Sequence, residues 1–185
     1  MPHSLVRRAL AAASAAVVLS FVPAFARAQE PKSPALVKEL AQLLDAKKLD
    51  SIAAADPANL GTYVAALYFP GSQLLLVSAK YAAPPLLNEK IAKKDYREVY
   101  IDLSSASVAG SKLFVMDANA DGLVSKPGED QPFDSAERAG TQYTFDGQWK
   151  KAKISEADYQ KNFGDIDEAY AKALRLLIAQ LKNAS

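Results

Sequence analysis

Apolar residues recur along this chain with two different spacings, and the change of spacing marks its elements. Leu36, Val37, Leu40, Leu43 and Leu44 fall three and four apart, with Lys38, Glu39, Gln42 and Asp45 between them. That period predicts an amphipathic helix. Ser33 is placed to open it as N-cap, and Pro34 occupies the first helical position, where a missing N–H costs nothing. From Thr62 the pattern changes. TYVAALYF, a Pro70–Gly71 turn and SQLLLVSAK are apolar at nearly every position. This predicts a hairpin of two strands, 62–69 and 72–78, covered on both faces as in a small barrel wrapped by helices. Residues 96–103 alternate instead, with Val99, Ile101 and Leu103 pointing one way and Glu98, Tyr100 and Asp102 the other.

The remaining elements are read with the same two periods. Residues 51–56 form a short strand ended by Asp56–Pro57, and Asn59-Leu60-Gly61 is turn material. Pro84–Pro85 opens a helix with Leu86, Leu87 and Ile91 on one side. Residues 104–111 are a small polar connection, and 112–116 (KLFVM) a further strand. The chain is then polar and irregular to about Ala139, and a loop of that length is usually functional. Residues 141–145 and 148–152 flank Asp146–Gly147, a type I′ hairpin signal. Ser155 with Asp158 starts a helix expected to stop at Gly164. Asp165 with Glu168 is a capping box for a last helix whose stripe is Ile166, Tyr170, Ala173, Leu174, Leu177 and Leu181. The expected fold is a single α+β domain: a small, mainly antiparallel split barrel or curled sheet with flanking helices.

Composition changes this picture at the N-terminus first. Arg7 and Arg8 precede an apolar run of 14 residues from Ala9 to Val22, and Ala26-Arg27-Ala28 has the form of a cleavage site. Residues 1–28 therefore read as a signal peptide, with an exported (periplasmic or secreted) mature domain of 157 residues, 29–185. Removing three of 22 basic residues and none of 21 acidic ones leaves a net charge of −2. That argues against nucleic acid or an anionic membrane as partner. The only histidine, His3, lies in the segment removed, and the chain has no cysteine. Thiol nucleophiles, disulfides, histidine–zinc sites and Ser-His-Asp catalysis are thereby excluded from the mature chain.

The stretches AKKLDSIAAADPANLGTYVAALYF and LLLVSAKYAAPPLLNEKI resemble the opening of the split-barrel, FMN-binding (pyridoxamine-phosphate-oxidase-like) families. The likeness spans roughly residues 40–103 and is loose. It implies a dimer with a flavin at the seam, the FMN phosphate being held by Ser78 and Lys80 at the end of the second hairpin strand. Hydroxyls, cations and helix N-termini are what a phosphate needs. The sequence departs from the family pattern at Ala65, Ala66 and Leu67, where basic residues are common, and Pro84 and Pro85 remove two donors from the following helix.

A second candidate is independent of the resemblance. Asp117-Ala-Asn119-Ala-Asp121-Gly122 has the D-x-N-x-D-G spacing of a calcium loop, with Val124 as apolar anchor and Ser125 as a further ligand. The closing acid is missing: Gly128 stands where a bidentate Glu is expected. An acidic turn whose side chains bond their own backbone would carry the same residues. Tyr63, Tyr68, Tyr81, Tyr96, Tyr100, Tyr143 and Trp149 could line a flat ligand, but aromatics scattered over strands are expected in the core. No catalytic residue stands out. The sequence thus supports an exported small-ligand-binding domain, with an FMN-dependent oxidoreductase and a calcium-stabilised interaction module as alternatives.

Overall fold

The computed structural model of the chain describes residues 32–54, 61–81, 96–103, 112–129 and 131–184. The expected signal peptide, the 104–111 connection and the helix after Pro84–Pro85 lie outside them, as do most of the turn at 59–61 and the end of the first strand. The elements run α1 (Pro34–Ala46), β1 (Ser51–Ala54), β2 (Thr62–Phe69), β3 (Leu74–Tyr81), β4 (Tyr96–Asp102), β5 (Leu113–Asp117), β6 (Asp134–Arg138), β7 (Thr141–Phe145) and α2 (Glu156–Asn183). The seven strands form one antiparallel sheet in sequence order, every strand beside the one before it. The sheet is not closed: β1 pairs with β2 alone and β7 with β6 alone. The fold is the expected α+β type, open as a split barrel is.

Register sorts the strand residues into two faces. Leu67, Leu76, Ile101, Val115, Ala136 and Tyr143 form one continuous cross-strand row. With Leu74, Val99, Leu113 and Phe145 they line the inner face. Against it pack Val37, Leu40 and Leu44 of α1 and Tyr159, Phe163, Ile166, Tyr170, Leu174 and Leu177 of α2, one shared core. Each fully buried Leu, Ile or Val contributes about 1.5–3 kcal/mol. Phe145 meets Phe163 and Tyr159 edge-on, at 5.1 and 6.4 Å between ring centroids. Among the described residues no helix packs on the other face; the helix expected after Pro84–Pro85 lies outside them. The apolar runs in β2 and β3 have one parity in the core and one outside it. Among the described residues, no helix is long and apolar enough to cross a membrane.

Three expectations are corrected. The polar stretch up to Ala139 contains β6, whose inward positions Asp134 and Ala136 are buried while Ser135 and Glu137 face out. The hairpin lies at Ala139–Gly140, both with positive φ (51° and 81°), and joins β6 to β7. Two consecutive positive φ values are what a two-residue I′ turn demands. Residues 148–152 form turns, not a strand. The Asp146 carboxylate accepts the Gln148 N–H at 2.8 Å and the Gly147 N–H goes to Tyr159 Oη at 3.0 Å, so neither continues a ladder. Finally, α2 runs without a break through Gly164. A mid-helix glycine costs about 1 kcal/mol against alanine, less than the burial of Phe163 and Ile166 on either side returns. Asp165 is therefore no capping residue; it pairs with Lys161 at 3.2 Å. The start of α2 is as expected, with Ser155 Oγ accepting the Asp158 N–H at 3.0 Å.

Candidate functional site

The D-x-N-x-D-G loop leaves the inner face at the end of β5. Asp117 is fully buried, and its carboxylate accepts the N–H groups of Asp121 (3.2 Å) and Gly122 (2.9 Å) and the hydroxyl of Tyr170 (3.1 Å). Asp134, the first residue of β6, accepts the N–H groups of Ala118 (3.0 Å) and Val124 (2.8 Å). Asn119 and Asp121 bond each other at 2.8 Å. Ser125 contributes its backbone carbonyl, to the Tyr159 hydroxyl at 2.6 Å. Ser33 does not cap α1 with its side chain; its Oγ accepts the Leu123 N–H at 2.8 Å, while the Asp167 carboxylate takes the N–H groups of Lys32 and Ser33. Gly122, at φ 91°, lies so close to α1 that a Cβ there would sit 2.5 Å from the Pro34 backbone. Asp117 and Asp134 thus clamp their own loop to α1 and α2. Among the described residues no group of three or more Asp, Glu, His or Cys side chains is placed to hold a metal ion.

Burial dominates the acidity of both clamps. It raises Asp117 to about 6, helped by the charge of Asp121 and opposed by the bonds from Tyr170 and the loop N–H groups. It raises Asp134 to about 8, helped by Asp117 and opposed by the N–H groups of Ala118 and Val124.

Ser78 and Lys80 also lie on the inner face, and the sheet brings them together with Arg97, which the sequence reading missed. Arg97 is 5% exposed. Its guanidinium donates twice to Asp50 (3.0 and 2.8 Å), once to Asp45 (2.9 Å) and once to Ser78 Oγ (2.6 Å). Lys80 pairs with Asp45 at 3.2 Å. These cations are already matched by carboxylates that tie β3 and β4 to the end of α1. The signal for Arg97 was available: it stands on the inward parity of β4 amid apolar neighbours, where a cation requires an acid.

The aromatics expected in the core divide: Tyr143 and Trp149 pack against it and Tyr96 is buried, whereas Tyr68 is exposed. Tyr68, Tyr81, Tyr96 and Tyr100 stand on the outer face. One row there runs Tyr68–Leu75–Asp102–Phe114, the next Ala66–Val77–Tyr100–Met116, and a third includes Val64, Ala79 and Glu98. None of these residues belongs to the core cluster. Tyr68 is 62% exposed and Leu75 and Phe114 are each 39% exposed. Glu98 Oε2 accepts the hydroxyls of Tyr81 (3.2 Å) and Tyr100 (2.8 Å). The rings of Tyr81 and Tyr96 lie 6.0 Å apart and those of Tyr100 and Phe114 6.2 Å. Tyr68 also borders a cleft of about 410 Å³ at the end of β2, walled by Leu49, Leu67, Phe69 and Leu181 with Lys47 at its edge.

No family model, curated protein or solved structure matches this chain.

Proposed function

We propose that this chain is an exported small-ligand-binding domain whose ligand lies on the outer face of the sheet. One observation carries the reading: an aromatic and aliphatic face, from Tyr68 and Leu75 to Tyr100 and Phe114, stands outside the core cluster with Tyr68, Leu75 and Phe114 exposed and Tyr100 half-buried. An exposed apolar patch rimmed by polar groups marks a binding surface. Covering a Leu or Phe side chain there gains about 1.5–3 kcal/mol. The two polar clusters on the inner face support this assignment by elimination, because their side chains bond to one another and to the backbone. The basic n-region, apolar run and A-x-A site support export.

Nile red fluorescence tests the surface. The dye brightens on the folded protein, and the double variant Leu75→Ser/Phe114→Ser abolishes most of that gain while circular dichroism is unchanged. The cleft variant Leu49→Ser keeps it. Equal brightening by parent and double variant refutes the reading. In a secreting bacterial host, the intact mass of the exported protein corresponds to a chain starting at Gln29; retention of residues 1–28 on an exported protein contradicts that part.

A further inference from the structure

The cleft beside Tyr68 follows from the way the chain leaves α1. Lys48 has a positive φ of 53°; its N–H returns to the Asp45 carbonyl at 3.1 Å, and the Leu49 N–H to the Leu44 carbonyl at 3.0 Å. This is a Schellman turn, and it swings Leu49 back against the helix end. The chain then meets β2 only from Ser51, which pairs with Val64. Residues 65–69 of β2 therefore have β3 on one side and no described strand on the other. Side chains fill part of the gap. Leu49, Leu67 and Phe69 line it while packing against the core, and Leu181 of α2 closes its floor. About 410 Å³ stays open, within the range of small-ligand sites.

The charge of the cleft sits on its rim. Lys47, the C-cap of α1, lines the edge, and its ammonium donates to the Ala184 carbonyl at 2.6 Å. An ammonium has three donors, and this bond uses one. The C-terminal ends of α1 and α2 both reach the cleft, each carrying roughly half a negative charge. The full charges of Lys47 and its exposed neighbour Lys48 outweigh the two together. A cation is therefore repelled at the rim. A neutral alkyl chain gains the apolar walls alone, whereas a chain ending in a carboxylate gains both walls and ammonium. We propose that this cleft binds a free medium-chain carboxylic acid as its anion. The carboxylate lies on Lys47, and the alkyl chain lies along Leu49, Leu67, Phe69 and Leu181. The site is separate from the outer face and does not depend on a ligand there; Tyr68 borders both.

Isothermal titration with octanoate, octan-1-ol and octylammonium, all below micellar concentrations, tests this. Octanoate should bind about threefold more tightly than the alcohol, the scale of an exposed ion pair, and octylammonium more weakly than either. Each methylene from hexanoate to octanoate should tighten binding about fourfold. Lys47→Gln should bring octanoate down to the level of the alcohol and leave the alcohol unchanged. Leu49→Ser should weaken octanoate about tenfold, and the outer-face variant Leu75→Ser/Phe114→Ser should leave it unchanged. Lys47 is exposed at a helix end, so Lys47→Gln serves alone if Leu49→Ser does not fold. Alcohol or octylammonium binding as tight as octanoate overturns the inference, as does a Lys47→Gln protein that keeps the preference for octanoate. Octanoate binding lost in Leu75→Ser/Phe114→Ser but kept in folded Leu49→Ser overturns the cleft and leaves the outer face as the binding site. Octanoate binding as expected with no Nile red signal leaves the cleft standing and removes the outer face. Absence of both signals removes both.

Discussion

The two faces of one sheet are built from similar residues and do opposite things. Leu76 and Leu75 are neighbours on β3; the first is fully buried under the helices and the second is 39% exposed on the other side. Val99 and Ile101 lie in the core, whereas Tyr100 between them looks outward beside Phe114. Charges follow the same division. The inner face buries its cation, Arg97, only because Asp45 and Asp50 meet it, while on the outer face Glu98 accepts the hydroxyls of Tyr81 and Tyr100. Apolar content therefore does not assign a strand face to the core. What assigns it is whether a second layer covers that face and whether its polar atoms find partners there.

Substitutions at matched positions on the two faces should break this contrast most sharply at Arg97. Arg97→Met leaves Asp50 12% exposed beside an uncharged side chain, and losing one partner of a buried pair costs about 3–5 kcal/mol. Urea unfolding should register that loss, whereas the outer-face change Glu98→Gln should move the midpoint little. Next in size is Leu76→Ala, expected to cost about 2–5 kcal/mol as a core truncation, against about 0.5 kcal/mol or less for the exposed Leu75→Ala. Equal losses for the two leucines would erase the distinction between the faces.

A smaller effect concerns pH and belongs to the inner face alone. Asp134 is raised to about 8 and Asp117 to about 6 in the folded chain, against 3.8 for an ordinary Asp. The folded state thus holds protons that the unfolded state releases. Their contribution to stability is full below about pH 4 and declines as pH rises, through 6 for Asp117 and 8 for Asp134. Urea unfolding at pH 5 and pH 8 should show the parent more stable at pH 5, other groups aside, with the difference reduced in Asp134→Asn. An undiminished difference in that variant would locate the pH dependence elsewhere.

Much of this fold was legible in the sequence where period and turn chemistry agreed. The stripe of α1, the 62–69 strand, the alternation of 96–103 and the stripe of α2 from Ile166 to Leu181 all stand in the structure. The errors have local causes. DSAER offers a single apolar residue to the core, too weak a period to announce β6. Asp146–Gly147 carries a hairpin signature, yet the Gly147 N–H is claimed by Tyr159 and the following Gln148 N–H by the Asp146 carboxylate in an Asx turn. The loop from Asp117 was recognisable as an acidic turn, but its clamp needs Asp134, Ser33 and Tyr170. Tyr170 is 53 residues from Asp117, and no local pattern reaches that far. Ser78 was visible, but its partner Arg97 lies 19 residues away across a strand pair. The outer aromatic face could not be told from core because only register and helix placement distinguish them.

Hydroxyl-radical footprinting of the unliganded protein, read residue by residue by mass spectrometry, addresses the contrast most directly. Tyr68, Leu75 and Phe114 should be oxidised rapidly, and Leu76, Phe145 and Tyr170 should be protected. Protection of the first three to the level of the last three would mean that the outer face is already covered, and the ligand-binding account would fail.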